Sequence, residues 1–308
     1  MREPLKTDTN WLEARKTFLG SSEWAVVAGL FTKYKSPLDV YNDKINGHEE
    51  VDNIRMRLGR DIEPMIAKWF EEETGLTVAT DGYTRFHVMY DFIGTTLDGV
   101  VVDNDGVESI LEIKTASQIA RDTWGAELPI QYYTQIQGQM LVTGMRKAYV
   151  AILTFGYAGP DKFEIQEYEY DQEFTRMIIP KLVSFWEDHV LKQIPPEATT
   201  EQDLKTLYPV SNDHVVEADM ELASKIDVLK KRKQELKQIS EAAKDLEIDI
   251  KKSIGDAHSV VYGDETLATW KSGSPRQSFD YHVFKVDHPD LFEKYQKQSG
   301  PIRTFRIK

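Results

Sequence analysis

Residues 94–117, GTTLDGVVVDNDGVESILEIKTAS, constrain the fold more than any other stretch of the chain. Two runs rich in β-branched residues flank the turn Asp103-Asn104-Asp105-Gly106, a pattern that specifies a pair of antiparallel strands. Related runs lie upstream at residues 76–80 and 84–90, so a period of two persists from Leu76 to Thr115 and predicts a mostly antiparallel meander. Buried strands want no charge, yet Asp98, Glu112 and Lys114 interrupt these runs.

In an extended strand Glu112 and Lys114 share one face and Ile113 takes the other. Asp98 follows the small and apolar residues Gly94 to Leu97 one turn upstream, where hairpin pairing would bring its carboxylate towards Glu112. Carboxylates buried side by side repel, and their pKa values rise unless a cation sits between them. Hard oxygen donors without neighbouring His suit Mg²⁺, or Mn²⁺ in its place, better than Zn²⁺. Lys114 would then orient a water or steady charge on a phosphoryl oxygen, which is the chemistry of phosphodiester hydrolysis. The spacing alone also permits a plain hairpin with an exposed Glu112–Lys114 ion pair. The acidic-x-Lys pattern recurs at Asp203, Glu235 and Asp249, but there in charged, helix-like sequence.

Helical periods surround the strands. Residues 11–46 read as short helices, the last opened by Ser36 as cap and Pro37 at the first helical position. Ile54, Leu58, Ile62, Ile66 and Phe70 trace another helix that Gly75 terminates, with a bend or restart expected at Pro64 near Glu63. Residues 129–144 form a helix, 147–155 and 162–170 two strands, and 171–193 a closing helix. The fold class is α/β of the α+β kind, a central mixed and largely antiparallel sheet flanked by helices. Four segments are expected: a core over 1–194, a linker over 195–216 beginning at Pro195 and Pro196, one long charged helix over 217–257, and a small strand–helix–strand appendage over 258–308. Leu222, Ile226, Leu229, Leu236, Ala243, Leu246 and Ile250 draw a narrow apolar seam along the long helix.

A net charge of −13 argues against coating nucleic acid by bulk attraction, so any polyanion must meet a local basic patch. Arg55, Arg57 and Arg60, with Lys33 and Lys35, supply candidates. The absence of cysteine excludes a thiol nucleophile and thiolate metal sites, and fits a reducing compartment. No apolar run is long enough to span a membrane, so a cytoplasmic protein is expected. No Gly-Lys-[Ser/Thr] phosphate loop is present, which removes an ATP-driven motor. The seven His residues show no metal-ligand spacing.

The motifs WLEARKTFLGSSEW, LGRDIEP, TLDG, LEIKTAS and YYTQIQGQMLVTG occur in that order between Trp11 and Lys192. Together they resemble the lambda exonuclease and YqaJ family of phage-type recombination exonucleases, within the PD-(D/E)xK nuclease superfamily and its restriction-endonuclease-like core. The resemblance implies Asp98, Glu112 and the Ile113 carbonyl as ligands of a Mg²⁺ ion, with Glu63 assisting directly or through water. It implies Lys114 as the catalytic lysine, Gln135 beside it and Gln137 as a further candidate. Arg15, Ser22 and Thr96, the last in place of the serine of relatives, would receive a DNA 5′-phosphate, and Met56 would be the apolar wedge at the duplex end. Without the resemblance, Arg15 reads as an ion-pair partner of Glu13 or Glu23.

The implied activity is metal-dependent 5′-to-3′ digestion of double-stranded DNA, leaving 3′ overhangs for a RecT-like or beta-like single-strand annealing protein. The resemblance further implies a homotrimer around DNA ends and a phage or prophage origin in a bacterial cytoplasm. Two alternatives stand beside it. One is another PD-(D/E)xK enzyme, an endonuclease or RecB-like repair nuclease; the other is a non-catalytic DNA-end-binding assembly protein that works through the long helix.

Overall fold

The computed structural model describes residues 5–6, 11–47, 54–80, 82–125, 127–156, 161–275, 277–297, 300 and 303–307. The chain divides into two compact units, 1–207 and 208–308.

The first unit opens with β1 (Leu5–Lys6), α1 (Trp11–Arg15) and β2 (Leu19–Gly20), then a 3₁₀ turn over Ser21–Glu23 that runs into α2 (Trp24–Val27). α3 (Pro37–Asn46) starts where the sequence places it, with Ser36 and Asp39 satisfying each other's backbone N–H groups. α4 (Ile54–Thr74) runs through Pro64 without the restart expected near Glu63. Ile66 and Phe70 are wholly buried on the face that docks on the sheet, each such burial being worth about 1.5–3 kcal/mol. That packing outweighs the one missing backbone donor.

β3 (Thr77–Ala79), β4 (Tyr83–Phe86), β5 (Ile93–Thr96), β6 (Gly99–Val102) and β7 (Glu108–Ser117) follow. They do not form one meander. β4 and β5 belong to a sheet ordered β1-β4-β5-β2, whereas β3, β6 and β7 belong to a second sheet. The β-rich run leading to the Asp103–Gly106 turn, residues 92–103, therefore breaks at Leu97-Asp98, between the two sheets. After α5 (Gln118–Asp122) and α6 (Ile130–Thr143), β8 (Lys147–Phe155) and β9 (Lys162–Glu169) complete the order β3-β6-β7-β8-β9. The only parallel pairing in this sheet among the described residues, β7 with β8, runs in register from Ile110↔Ala148 to Ser117↔Phe155.

Strand alternation decides which helix each face meets. Ile110, Val150 and Ile152 pack against Ile136 and Met140 of α6. Leu111, Ile113, Ala151 and Leu153 pack against Ile66 and Phe70 of α4. Glu112 and Lys114 thus face α6. A third cluster joins Leu19, Trp24, Leu38 and Ile93 to Leu182 and Trp186, from α7 (Gln172–Ser184) and the π-helical turn Phe185–Val190 that continues it. Gly138 permits close contact between α6 and the 3₁₀ turn, since a Cβ there would lie 3.0 Å from Trp24 and 3.1 Å from Ser21.

The stretch expected as a linker after residue 194 carries α8 (Glu201–Leu207), which belongs to the first unit. Asp203 is buried, accepting from Ser36 Oγ at 2.6 Å and from the N–H groups of Thr199 at 2.8 Å and Thr200 at 2.9 Å. The reciprocal bond from Asp203 N–H to Thr200 Oγ1 is a capping contact that Thr200-x-x-Asp203 already spells out.

In the second unit α9 (Met220–Ile254) begins at the cap Asp219 and carries Glu221–Lys225 and Glu247–Lys251 pairs one turn apart. The appendage differs from the expected strand–helix–strand order. It is a hairpin of β10 (Ser259–Tyr262) and β11 (Glu265–Thr269), then α10 (Tyr281–Asp287) and α11 (Pro289–Lys294), whose rings at Tyr281 and Phe292 meet edge to face.

Candidate active site

The β6–β7 ladder ends at the Gly99↔Leu111 pair. One residue before Gly99, Asp98 takes over the next position on that edge, its Oδ2 accepting the Ile113 N–H at 2.7 Å. A strand residue's N–H and C=O leave on the same edge, so the Ile113 carbonyl is directed to the side where Asp98 sits. The acidic interruption at Asp98 is where the chain changes sheets, and its side chain replaces a ladder bond.

Glu112 is almost wholly buried and is held by three side chains. Lys114 Nζ donates to its Oε1, as does Gln135 Nε2 at 2.7 Å, while Gln139 Nε2 donates to its Oε2 at 2.5 Å. Lys114 also donates to Gln135 Oε1 at 3.3 Å and lies 4.9 Å from the centroid of the Tyr132 ring. Burial works against the Lys114 charge, but Glu112 and then Asp98 outweigh it and hold the lysine above its usual range. Burial first and Glu112 next push Asp98 up to about 8, against the pull of Lys114 and the Ile113 N–H. Glu63, half-buried on α4, is raised by burial and then by Glu112, with Lys114 and Arg60 opposing. These four groups share one electrostatic neighbourhood.

The donor set fits a hard cation. Two carboxylates and a carbonyl edge lie together with too little positive charge, and Mg²⁺ characteristically takes one or two carboxylates and keeps several waters. No cluster of three His, Asp or Glu side chains suited to hold a metal by themselves occurs among the described residues.

Gln137 is not part of this group. It is wholly buried but donates to the Glu169 carbonyl at 2.9 Å and accepts the Asp171 N–H at 2.7 Å, tying α6 to the start of α7. Gln139, which the motif reading overlooked, takes its place. Positions four apart share a helix face and positions two apart do not, so Gln135 with Gln139 is the pairing that helical period selects. Gln139 Nε2 also reaches the Thr96 carbonyl at 3.4 Å, and its buried Oε1 has no hydrogen-bond partner.

The candidate phosphate residues lie along a neighbouring edge. β2 pairs in parallel with β5 through Gly20↔Gly94, and Ser21 Oγ and Thr95 Oγ1 share a hydrogen bond of 2.7 Å. Arg15 Nη2 lies 3.6 Å from Glu23 Oε1, while Glu13 pairs instead with Lys16. Ser22, exposed, is adjacent to Glu23 in the same turn. The Thr96 hydroxyl is bonded to Thr84 Oγ1 at 3.1 Å, so it is the Thr96 carbonyl, through Gln139, that connects this edge to Glu112. Met56 sits two turns before Glu63 on α4, 36% exposed. Arg55, Arg57 and Arg60 are exposed on the same helix. No helix among the described residues is long and apolar enough to cross a membrane.

No curated protein matches the chain. Among solved structures, LHK-Exo in complex with dAMP is similar at 22% identity and a TM-score of 0.51, covering 65% of this chain and 97% of that one. The alkaline exonuclease (LHK-Exo) from Laribacter hongkongensis is similar at 22% identity and a TM-score of 0.50, covering 61% of this chain and 94% of that one. These likenesses establish the fold. Residues 10–146, which contain Arg15, Glu63, Asp98, Glu112, Lys114 and Gln135, match the YqaJ-like viral recombinase domain, the family that the motifs of this chain resemble.

Proposed function

We propose that the protein is a Mg²⁺-dependent exonuclease that digests double-stranded DNA from the 5′ end and leaves 3′ overhangs for a single-strand annealing partner. The observation that carries this reading is the assembly of buried Glu112 with half-buried Asp98 and Lys114 around the open end of the β6–β7 ladder. Pure binding of DNA does not call for clustered carboxylates beside a phosphate, which weighs against a non-catalytic end-binding protein. That the similar LHK-Exo was solved with dAMP, a deoxynucleoside monophosphate, is in keeping with stepwise release of nucleotides.

Asp98, Glu112 and the Ile113 carbonyl would hold the ion, with Glu63 acting through water. Bound there, Mg²⁺ supplies Lewis-acid polarisation of the scissile phosphate and lowers the pKa of a water. The chain's own residues do the rest. Gln135 and Gln139 fix both oxygens of Glu112, so the carboxylate is preorganised rather than free to swing. Lys114, kept charged by Glu112 and Asp98, stands ready to stabilise a phosphoryl oxygen as negative charge develops. Arg15 and Ser22 grip the terminal phosphate and set which bond meets Lys114, and Met56 splays the duplex end. The exposed arginines of α4 offer a basic track on an acidic protein. A homotrimer enclosing DNA, and work in a bacterial cytoplasm on phage or prophage DNA, complete the reading.

The test is digestion of linear duplex, covalently closed circle and single strand, each with Mg²⁺ and with chelator, using duplexes labelled on each strand in turn. Loss of the 5′-ended strand from linear duplex alone, abolished by chelator, is expected. Cutting of closed circles would identify an endonuclease instead, and digestion starting at 3′ ends would overturn the polarity.

A further inference from the structure

Glu23 is 4% exposed and faces three cations. Its Oε2 is saturated by Lys44 Nζ at 2.7 Å and the Gly20 N–H at 2.9 Å. Lys44, itself buried, also donates to the Arg15 carbonyl at 2.9 Å, so one lysine anchors both the carboxylate and the backbone that carries Arg15. The other oxygen, Oε1, lies 3.6 Å from Arg15 Nη2 and 3.9 Å from Lys35 Nζ. Charge-assisted hydrogen bonds are about 2.7–2.9 Å long, so neither cation is tightly engaged by this carboxylate. Both are partly exposed, at 24% for Arg15 and 31% for Lys35. Lys35 is also paired to Asp43 at 2.5 Å. The Lys44 charge is disfavoured by burial, and Arg15 and Lys35 add to that against Glu23, which is the signature of crowded cations.

We propose that Lys35 is the second cation of the end-phosphate site, held beside Arg15 by the locked Glu23 carboxylate, and that the two together select a terminal phosphate over a hydroxyl end. This rests on the reading of Arg15 and Ser22 as the grip on a 5′-phosphate. A terminal phosphomonoester carries about −1.5 to −2 charges at neutral pH, whereas a 5′-hydroxyl carries none. A single guanidinium leaves that dianion half neutralised. An ammonium needs no fixed fork geometry and acts as a point charge, so Lys35 can turn from Asp43 and Glu23 to the phosphate.

The test is the ratio of affinities for hairpin duplexes ending in 5′-phosphate and in 5′-hydroxyl. It is read by fluorescence anisotropy in chelator, and then as single-turnover digestion with Mg²⁺. Lys35→Met should lower the phosphate-to-hydroxyl ratio by about tenfold, the size expected of one charged contact at a partly exposed site. Asp43→Asn, which removes the competing carboxylate, should raise it. A wild-type ratio in Lys35→Met together with a lost ratio in Arg15→Ala overturns the role of Lys35 and leaves the Arg15 reading standing. If neither variant changes the ratio, or the wild type shows none, the end-phosphate reading fails and takes this proposal with it.

Discussion

Glu112 and Glu23 are two buried glutamates built from the same parts and turned to opposite uses. Glu112 has both oxygens held by hydrogen-bond donors and Glu23 has its Oε2 so held, and each has a lysine as its nearest partner. Around Glu112 the remaining charges are Asp98 and Glu63, so negative charge is in excess. Around Glu23 they are the cations Arg15 and Lys35, the latter also paired with Asp43. On the proposed reading a cation would relieve the first and an anion the second, so the two glutamates would separate a metal site from a phosphate grip. A buried ion pair is by itself weak evidence of function; the sign of the charges gathered beside it is the informative part.

Breaking the acidic side should have the largest effect. Lys114→Ala is expected to lower single-turnover cleavage by at least about a thousandfold while DNA affinity stays near wild type, because it removes charge stabilisation made only in the transition state. A variant that kept even a tenth of wild-type turnover would remove Lys114 from the reaction. Asp98→Ala and Glu112→Ala should in addition lose Mg²⁺ binding by calorimetry.

On the basic side, Arg15→Ala should slow digestion of 5′-phosphorylated duplex by about 10–100-fold, in line with one charge-assisted bidentate contact, and shorten processive runs. Equal slowing on phosphate and hydroxyl ends would make Arg15 a structural residue.

A sharper contrast uses two glutamines of α6. Gln139→Leu should raise the half-saturating Mg²⁺ concentration by about tenfold, since Glu112 loses the donor on Oε2, an effect of the size seen when groups supporting a metal ligand are changed. Gln137→Leu should leave metal affinity alone and lower thermal stability, because it uncouples α6 from the Glu169 carbonyl and the Asp171 N–H. Identical behaviour of the two would show that the face of α6 does not matter.

The smallest effect is one of pH on the metal-free protein. Asp98 keeps its proton up to about 8 in the folded state, whereas an unfolded Asp releases it near 3.8. Between those limits the folded state binds the extra proton, so stability falls as pH rises through that window. Denaturant melts in chelator should show this slope, and saturating Mg²⁺ should flatten it; a slope that Mg²⁺ leaves untouched would place the ion elsewhere.

Much of the site is legible along the chain because its signals are local. Glu112 and Lys114 share a face by strand alternation, Ser36 and Asp39 cap α3 by spacing, and charges inside apolar runs mark themselves. Gln139 was legible too, through the four-residue helical period, but the motif drew attention to Gln135 and Gln137. Thr200-x-x-Asp203 likewise announced α8 behind what reads as a linker. The split of residues 92–103 was not legible, because nothing in a β-rich run says which of two sheets each half will join.

The sequence by itself determined the chemistry available: an acidic strand pair with one lysine, hard-metal donors without His or Cys, and helices of known period on either side. Only the tertiary structure decided that Asp98 would cap the broken ladder at Ile113, that Arg15 and Lys35 would share Glu23, and that Thr96 would offer its carbonyl rather than its hydroxyl. The physical reason is that charge balance at a buried site depends on distances between segments far apart in the chain. Those distances are fixed by the packing of α6 and α4 on opposite faces of one sheet, not by spacing along the backbone.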